Sequence, residues 1–377
     1  MNWSRFLAIL IKEFRQVRRD RLTFAMMVAV PILQLILFGF AINTDPKHLP
    51  LAVVIADESE FSRSFVAGLE NSQYFRVTER PKSEAEANRL LDDGDVQFVL
   101  VIPAGFSRQL LRGEHPGILL AADATDPSAA GNALAALNTI GQQAMARELT
   151  AATAMPHSSV AADTPFDLRV QRRYNPESLS RYNIVPGLIG VIQTMTMIMM
   201  TALAMTRERE RGTMENLLAT PARPFEVMVG KIVPYILIGY VQAVVILTAA
   251  WLMFDMPIVG SLALLSWSLA LFMAANLAVG FTFSTIARNQ LQAMQLTFFF
   301  FLPSMLLSGF MFPFRGMPGW AQAIGEILPL THFLRIVRGI LLKGNTLADI
   351  VPNLWPIGAF MVGAGIVAML RYRQTLD

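Results

Sequence analysis

Cysteine is absent from all 377 residues, which excludes disulfides, thiolate nucleophiles and cysteine metal sites. Histidine is nearly absent. His48, His115, His157 and His332 lie far apart with no His-x-x-x-His pair, so they read as isolated polar side chains rather than metal ligands. Charge is scarce: 16% of residues are Asp, Glu, Lys or Arg, against about 25% in soluble globular proteins. A phosphate-binding loop is missing too. The one Gly-Lys pair, Gly230-Lys231, is followed by Ile232 and lacks the upstream glycines of GxxxxGK[ST]. No paired carboxylates and no nucleophile–base motif stand out; Ser62, Ser64 and Ser107 read as helix-start serines.

What is abundant is apolar surface. Hydrophobic residues make up 54% of the chain, and several runs of ~20 are long enough to cross a bilayer as helices. Six spans are predicted, at about 22–42, 184–205, 232–254, 258–286, 291–312 and 351–370. Pro31 is compatible with the first, because neighbouring helices satisfy freed backbone groups. That run follows a basic lead and ends in FGFAINTDP rather than a small-residue cleavage site, so it reads as a retained span. Residues 1–21 place Trp3, Phe6, Leu7, Leu10, Phe14 and Val17 at helical spacing with Arg5, Lys12, Arg15 and Arg19 mostly elsewhere. This is the pattern of an amphipathic helix lying in a lipid interface. Residues 313–344 are apolar but broken by Gly, Pro and charge, and read as short re-entrant helices before the last span.

Residues 43–181 have a different texture. LAVVIAD, YFRVTER, VQFVLVIP and GILLAAD are strand-like and alternate with helical SRSFVAGLENS, SEAEANRLLDDG and AGFSRQLLRG. An Ala-rich helical stretch, a loop at 153–164 and an extended run, FDLRVQRRYNPE, follow. The pattern predicts a small α/β domain with a largely parallel sheet. Eighteen of the 31 Lys and Arg lie outside residues 45–181, fourteen of them in the amino-terminal lead, the 206–231 loop, Arg288 and the tail. The other four are Arg315, Arg335, Arg338 and Lys343. By the positive-inside rule both termini are cytoplasmic and the α/β domain extracytoplasmic. The basic residues belong to the membrane's cytoplasmic face, and nothing suggests nucleic acid as a partner.

The spans hold no Asp, Glu or His well inside them, which argues against a proton- or sodium-coupled carrier, since such carriers need an intramembrane group to bind the ion. Uncharged polar residues do occur: Gln34, Gln193, Thr194, Gln242, Asn276, Gln292, Gln295, Ser304 and Ser308. Helix–helix hydrogen bonding is the plain reading; a translocation path lined by Gln193, Thr194, Gln242, Asn276, Gln295, Ser304 and Ser308 is the functional one. If nucleotide hydrolysis supplies the energy, another polypeptide binds the nucleotide.

Between two of the apolar runs sits TRERERGTMENLLATPARPFEVMVGK, with charges alternating in sign from Arg207 to Arg211. With RRYNPE leading into NIVPGLIGVI, and LPSMLLSGFMFPFRGMPGWAQAIGEILPLTHF near the end, it resembles the permease subunits of ABC-2-type transporters. The likeness is to the bacterial multidrug-efflux type with a large domain after the first span, and covers nearly the whole chain. The resemblance implies that residues 206–226 form a coupling helix docking on a partner ATPase, with Glu208, Arg209, Glu210, Arg211, Gly212, Thr213, Glu215, Leu217, Leu218, Thr220 and Pro221 as its contact set. It implies no nucleotide on this chain, with ATP and Mg held by the ATPase. Its further implied partners are a second permease copy or paralogue, a periplasmic adaptor and membrane lipid, in a bacterial inner membrane. Alternatives are export of a lipid-linked glycan, a peptide or sodium, or a ligand sensor or scaffold without transport.

Overall fold

A computed structural model describes residues 47–126, 131, 133, 134, 137, 166–210 and 224–371, without the side chains of residues 208, 209 and 224–234. The predicted interfacial helix and first span therefore lie outside the described residues, as does the 153–164 loop.

The α/β domain is built from β1 (Leu49–Ile55), α1 (Glu60–Asn71), β2 (Phe75–Glu79), α2 (Glu84–Asp93), β3 (Phe98–Ile102), α3 (Phe106–Leu111), β4 (Gly117–Asp123) and β5 (Asp167–Arg173). The strand order is β2-β1-β3-β4-β5; only β3 and β4 pair antiparallel. Strand alternation explains why both faces are covered. Leu49, Leu51, Val53, Phe98, Leu100 and Ile102 point to one side, where Phe65 and Leu69 of α1 and Phe106 and Leu110 of α3 pack. The intervening Ala52, Val54, Val99 and Val101 face the other side, where Ala87 and Leu91 of α2 meet them. In the Ala-rich stretch, Ala133 and Leu137 are helical and buried in the first of these cores.

Local chemistry sets the helix ends. Ser59 caps α1 by accepting from Ser62 N, and Ser83 caps α2 by accepting from Glu86 N while Glu86 accepts from Lys82 N. Gly94, with φ of 82°, closes α2 in the left-handed region.

Below this domain stand α4 (Ser180–Glu210), α5 (Pro224–Phe254), α6 (Leu262–Ile286), α7 (Gln290–Leu307) and α10 (Leu347–Arg371). These are the five described helices long and apolar enough to cross a membrane. α4 continues through Thr206–Glu210, so the first charges of the predicted loop extend the helix. α7 stops at Leu307, short of the predicted 312, where Gly309 turns the chain at φ of 83°. Between α7 and α10 come a 3-10 turn (Phe314–Gly316), α8 (Gly319–Gly325), α9 (Pro329–Arg338) and a π turn (Gly339–Lys343). α9 buries every residue from Pro329 to Val337 except Arg335. Its Leu330, Phe333 and Leu334 fill the space left by Gly190 of α4, and Phe333 stacks on Phe272 of α6 at 4.2 Å between ring centroids.

The strand-to-span joint explains the RRYNPE segment. Tyr174 takes a φ of 65°, and the buried Asn175 both donates to Leu179 O and accepts from Leu179 N, folding the turn that starts α4. Trp251, Trp267, Trp320 and Trp355 are all outward-facing and sit toward the α/β-domain end of their elements. Exposed indoles of this kind favour membrane–water interfaces.

Candidate functional site

The polar residues of the spans divide by what their hydrogen bonds do. Three hydroxyls predicted to line a path bond back to their own helix: Thr194 to Gly190 O at 2.8 Å, Ser304 to Phe300 O at 2.7 Å and Ser308 to Met305 O at 3.1 Å. Ser304 works beside Pro303, which itself brings no N–H to the helix. Thr201, Thr206, Ser268 and Thr297, which sequence reading did not single out, bond back in the same way. Gln292 closes the turn before α7 by accepting from Arg288 N, while Asn289 accepts from Gln292 N.

The amides behave differently. Gln193, Gln242, Asn276 and Gln295 each bury a carbonyl oxygen that no donor among the described residues reaches. Gln193 Nε2 donates to Gly239 O at 2.6 Å, tying α4 to α5 in mid-membrane, and Asn276 Nδ2 donates to Phe272 O at 2.9 Å. A Cβ at Gly239 would lie 2.2 Å from Met273 Sδ and 3.0 Å from Gln193 Oε1, so the Met273 side chain would have to move aside. Gln242 is one turn past Gly239 on α5, and Asn276 one turn past Met273 on the antiparallel α6. Of the seven predicted path residues, Gln193 is thus placed at the contact of α4, α5 and α6, beside Met197 and Met273, while Gln242 and Asn276 lie about one turn from it in opposite directions along the antiparallel helices. Gln295 lies apart on α7. An unpaired buried amide oxygen costs about 1–3 kcal/mol, so an acceptor set of this kind has capacity for a donor that the described chain does not supply. Sequence reading missed Gly239 and the methionines; the MTMIMM run of α4 was the available signal, since Met adapts its shape to irregular surroundings.

At the opposite end of α4, Glu210 accepts from Gln290 N at 2.8 Å and from Gln290 Nε2 at 2.5 Å. These bonds hold its carboxyl below the usual range, with Arg207 adding to the effect. Glu210 therefore binds α4 to the start of α7. Glu208 and Arg209 are helical; Arg211, Gly212, Thr213, Glu215, Leu217, Leu218, Thr220 and Pro221 lie outside the described residues.

A bundle of long apolar helices, an α/β domain inserted ahead of it and a charged segment between α4 and α5 make a combination that can be compared with known proteins. The family model described as "ABC-2 family transporter protein" matches residues 21–370. The chain belongs to the ABC-2 transporter family. Relatives of this ABC-2 protein run along its length. It is 30% identical over 382 residues to the probable multidrug ABC transporter permease YbhS of Escherichia coli, covering 100% of this chain and 99% of that one. It is 28% identical to YbhR, a protein of the same description, over 99% of each chain. It is 22% identical to the linearmycin resistance permease protein LnrN of Bacillus subtilis, over 92% of this chain and 94% of the other.

Proposed function

We propose that this ABC-2 protein is the membrane-spanning permease subunit of an ATP-driven exporter of drugs or other small amphipathic molecules. The observation that carries the reading is similarity over essentially the whole chain to proteins described as multidrug ABC permeases. ATP and Mg are bound by a separate ATPase chain, and a second permease copy or paralogue completes the path. The α/β domain faces the periplasm and meets an adaptor there. Both termini and residues 206–226 face the cytoplasm of a bacterial inner membrane, with residues 1–21 along the lipid interface and residues 22–42 as a sixth span. Residues 313–344 enter the membrane from the periplasmic side and return to it. This is supported by contacts of Arg315 and Lys343 with the α/β domain, while Leu330 and Phe333 reach Gly190.

The path runs where α4, α5 and α6 meet, and the amide oxygens of Gln193, Gln242 and Asn276 accept from substrate N–H or O–H groups. The coupling set begins at Glu208 and runs through Pro221. Co-expression with an ABC ATPase chain from the same organism tests the assignment. The parent is expected to retain the ATPase through purification. Glu208→Ala with Gly212→Val is expected to insert normally and to lose either ATPase retention or substrate-stimulated hydrolysis. An interface hot spot is worth ~2 kcal/mol, roughly thirtyfold in affinity. A chain that retains no ATPase would favour a sensor or scaffold; parental behaviour of the variant would reduce residues 206–226 to a membrane anchor.

A further inference from the structure

Helix α2 ends the wrong way round. Its last turn and cap read Asp92, Asp93, Gly94, Asp95, with no basic residue in that turn. Carboxylates at a helix C-terminus add to the negative end of the macrodipole and destabilise it. Burial raises the Asp93 carboxyl above its usual value, helped by Asp349, Asp95 and Asp92, with Lys343 opposing. Among the described residues of the α/β domain, the Tyr174 hydroxyl donates to Asp92, and the cations that face this cluster come from elsewhere.

The compensating cations come from the segment between α7 and α10. Lys343 Nζ lies 2.7 Å from Asp123 Oδ2 at the end of β4, and both side chains are nearly buried, at 10% and 13% exposure. The same ammonium donates to the α2 carbonyls Leu91 O at 3.2 Å and Asp92 O at 3.4 Å, and sits 4.8 Å from the centre of the Tyr174 ring. Tyr174 in turn donates its hydroxyl to Asp92 Oδ1. Arg315, from the 3-10 turn, donates to Gly94 O and to Asp95 O. Lys343 is therefore held by three parts of the α/β domain at once. It closes the π turn, an element rare in proteins and frequent at functional sites. Within that turn, Leu341 O accepts from Val259 N in the α5–α6 connection, and the preceding α9 carries Phe333 onto Phe272, the neighbour of Met273.

We infer that Lys343 and Arg315 are positioning residues for transport. They grip the acidic end of α2 so that the α/β domain follows the span-packed α8–α9 segment as one rigid body. The inference rests on the exporter reading for its role in the transport cycle, but the grip itself does not.

The cysteine-free background allows the test. Thiols introduced at exposed Arg112 of the α/β domain and exposed Ile327 between α8 and α9 carry spin labels, and the distance between them is measured in the full-length protein, without ATPase and then in the assembled complex. In the parent a single narrow distance is expected, unchanged on trapping the complex with ATP and vanadate. Lys343→Met, which removes the charge at similar volume, is expected to broaden the distribution at least twofold; Lys343→Arg is expected to keep it narrow. In the complex, Lys343→Met is expected to lower ATP turnover about tenfold, within the range of coupling between sites. Should Lys343→Met not be recovered folded, Arg315→Gln carries the same test. A narrow distribution in Lys343→Met, or an Arg variant as broad as the Met variant, overturns the grip. Broadening with parental ATP turnover, or a distance that shifts between the two states of the parent, overturns the rigid-body role. Failure of the ATPase to bind at all would sink the exporter reading and leave the ATP-free comparison to judge the grip.

Discussion

At the scale of single residues, backbone contact between spans depends on glycine. Gly280 of α6 faces α4 so closely that a Cβ would meet Ile198 O at 2.7 Å and Thr201 Cβ at 2.8 Å. The nearest obstacle is backbone, which cannot swing aside, so Gly280→Ala must push α4 and α6 apart. A loss of about 1–3 kcal/mol follows, as for other overpacked cores. Thermal unfolding in detergent should show it, while Gly363→Ala, with open space around it, should unfold like the parent. In the α/β domain, Asp57 Oδ2 accepts from both Ser107 N and Ser107 Oγ at 2.8 Å. Burial acts to raise this carboxyl, but the bonds from Ser107 and Ser59, with the nearby Arg108, outweigh it and hold it below its usual value. A depressed carboxylate contributes stability that is complete above the unfolded value of about 4 and is lost as pH falls through the folded one. Asp57→Asn should therefore lower the unfolding temperature at pH 6 to 7, and the gap from the parent should close as the pH is taken toward 3. A gap independent of pH would assign the effect to packing instead.

At the scale of elements, His332 joins three pieces of the outer segment. Its Nε2 faces Glu326 O at 2.9 Å and, because a carbonyl only accepts, carries a proton there; its Nδ1 lies 3.0 Å from Asn353 Oδ1 in the first turns of α10. His332→Ala should cost on the order of 1–3 kcal/mol by leaving Glu326 O and the Asn353 amide short of partners. A double-mutant cycle with Asn353→Ala should give a coupling above about 0.5 kcal/mol, and additivity would show that the two do not interact.

The same segment marks the limit of what was legible in advance. Uninterrupted apolar runs gave away five spans, and β-branched runs such as LAVVIAD gave away the strands. Each of those signals is local, a period of two or a length of about twenty. The 313–344 segment has neither, and its order comes from burial against α4, α6 and α10. The Lys343–Asp123 pair joins residues far apart in sequence, and nothing within either neighbourhood announces it. In the spans, residue type marked Gln193, Thr194, Gln242, Asn276, Gln295, Ser304 and Ser308 as a single group. Geometry separates them, because a hydroxyl reaches its own helix at i−4 or i−3 whereas an amide has an oxygen left over.

At the scale of the whole molecule, the α/β domain and the α8–α9 segment share one side, with Arg207 and Arg371 near the far ends of α4 and α10 and Arg288 in the α6–α7 connection. Single cysteines at Arg112 and at Arg371 report orientation. An impermeant thiol reagent on spheroplasts is expected to label the first and not the second; labelling at Arg371 would overturn the assignment of a cytoplasmic carboxyl terminus.

Trp267 also acts as a ruler. From Trp267 down α6 to Ile286 the helix runs roughly 30 Å at ~1.5 Å per residue, close to the thickness of an ordinary hydrocarbon core. Its two boundaries are of different kinds, indole at one edge and guanidinium at the other, and only the second can snorkel far. Thinner bilayers must then be accommodated from the arginine side, by tilting the spans about their tryptophan-anchored ends, at fractions of a kcal/mol per ångström of mismatch. Reconstitution in lipids of decreasing acyl length should therefore disturb the ends of α4 and α7 where Glu210 meets Gln290 before it loosens the ends nearer the α/β domain.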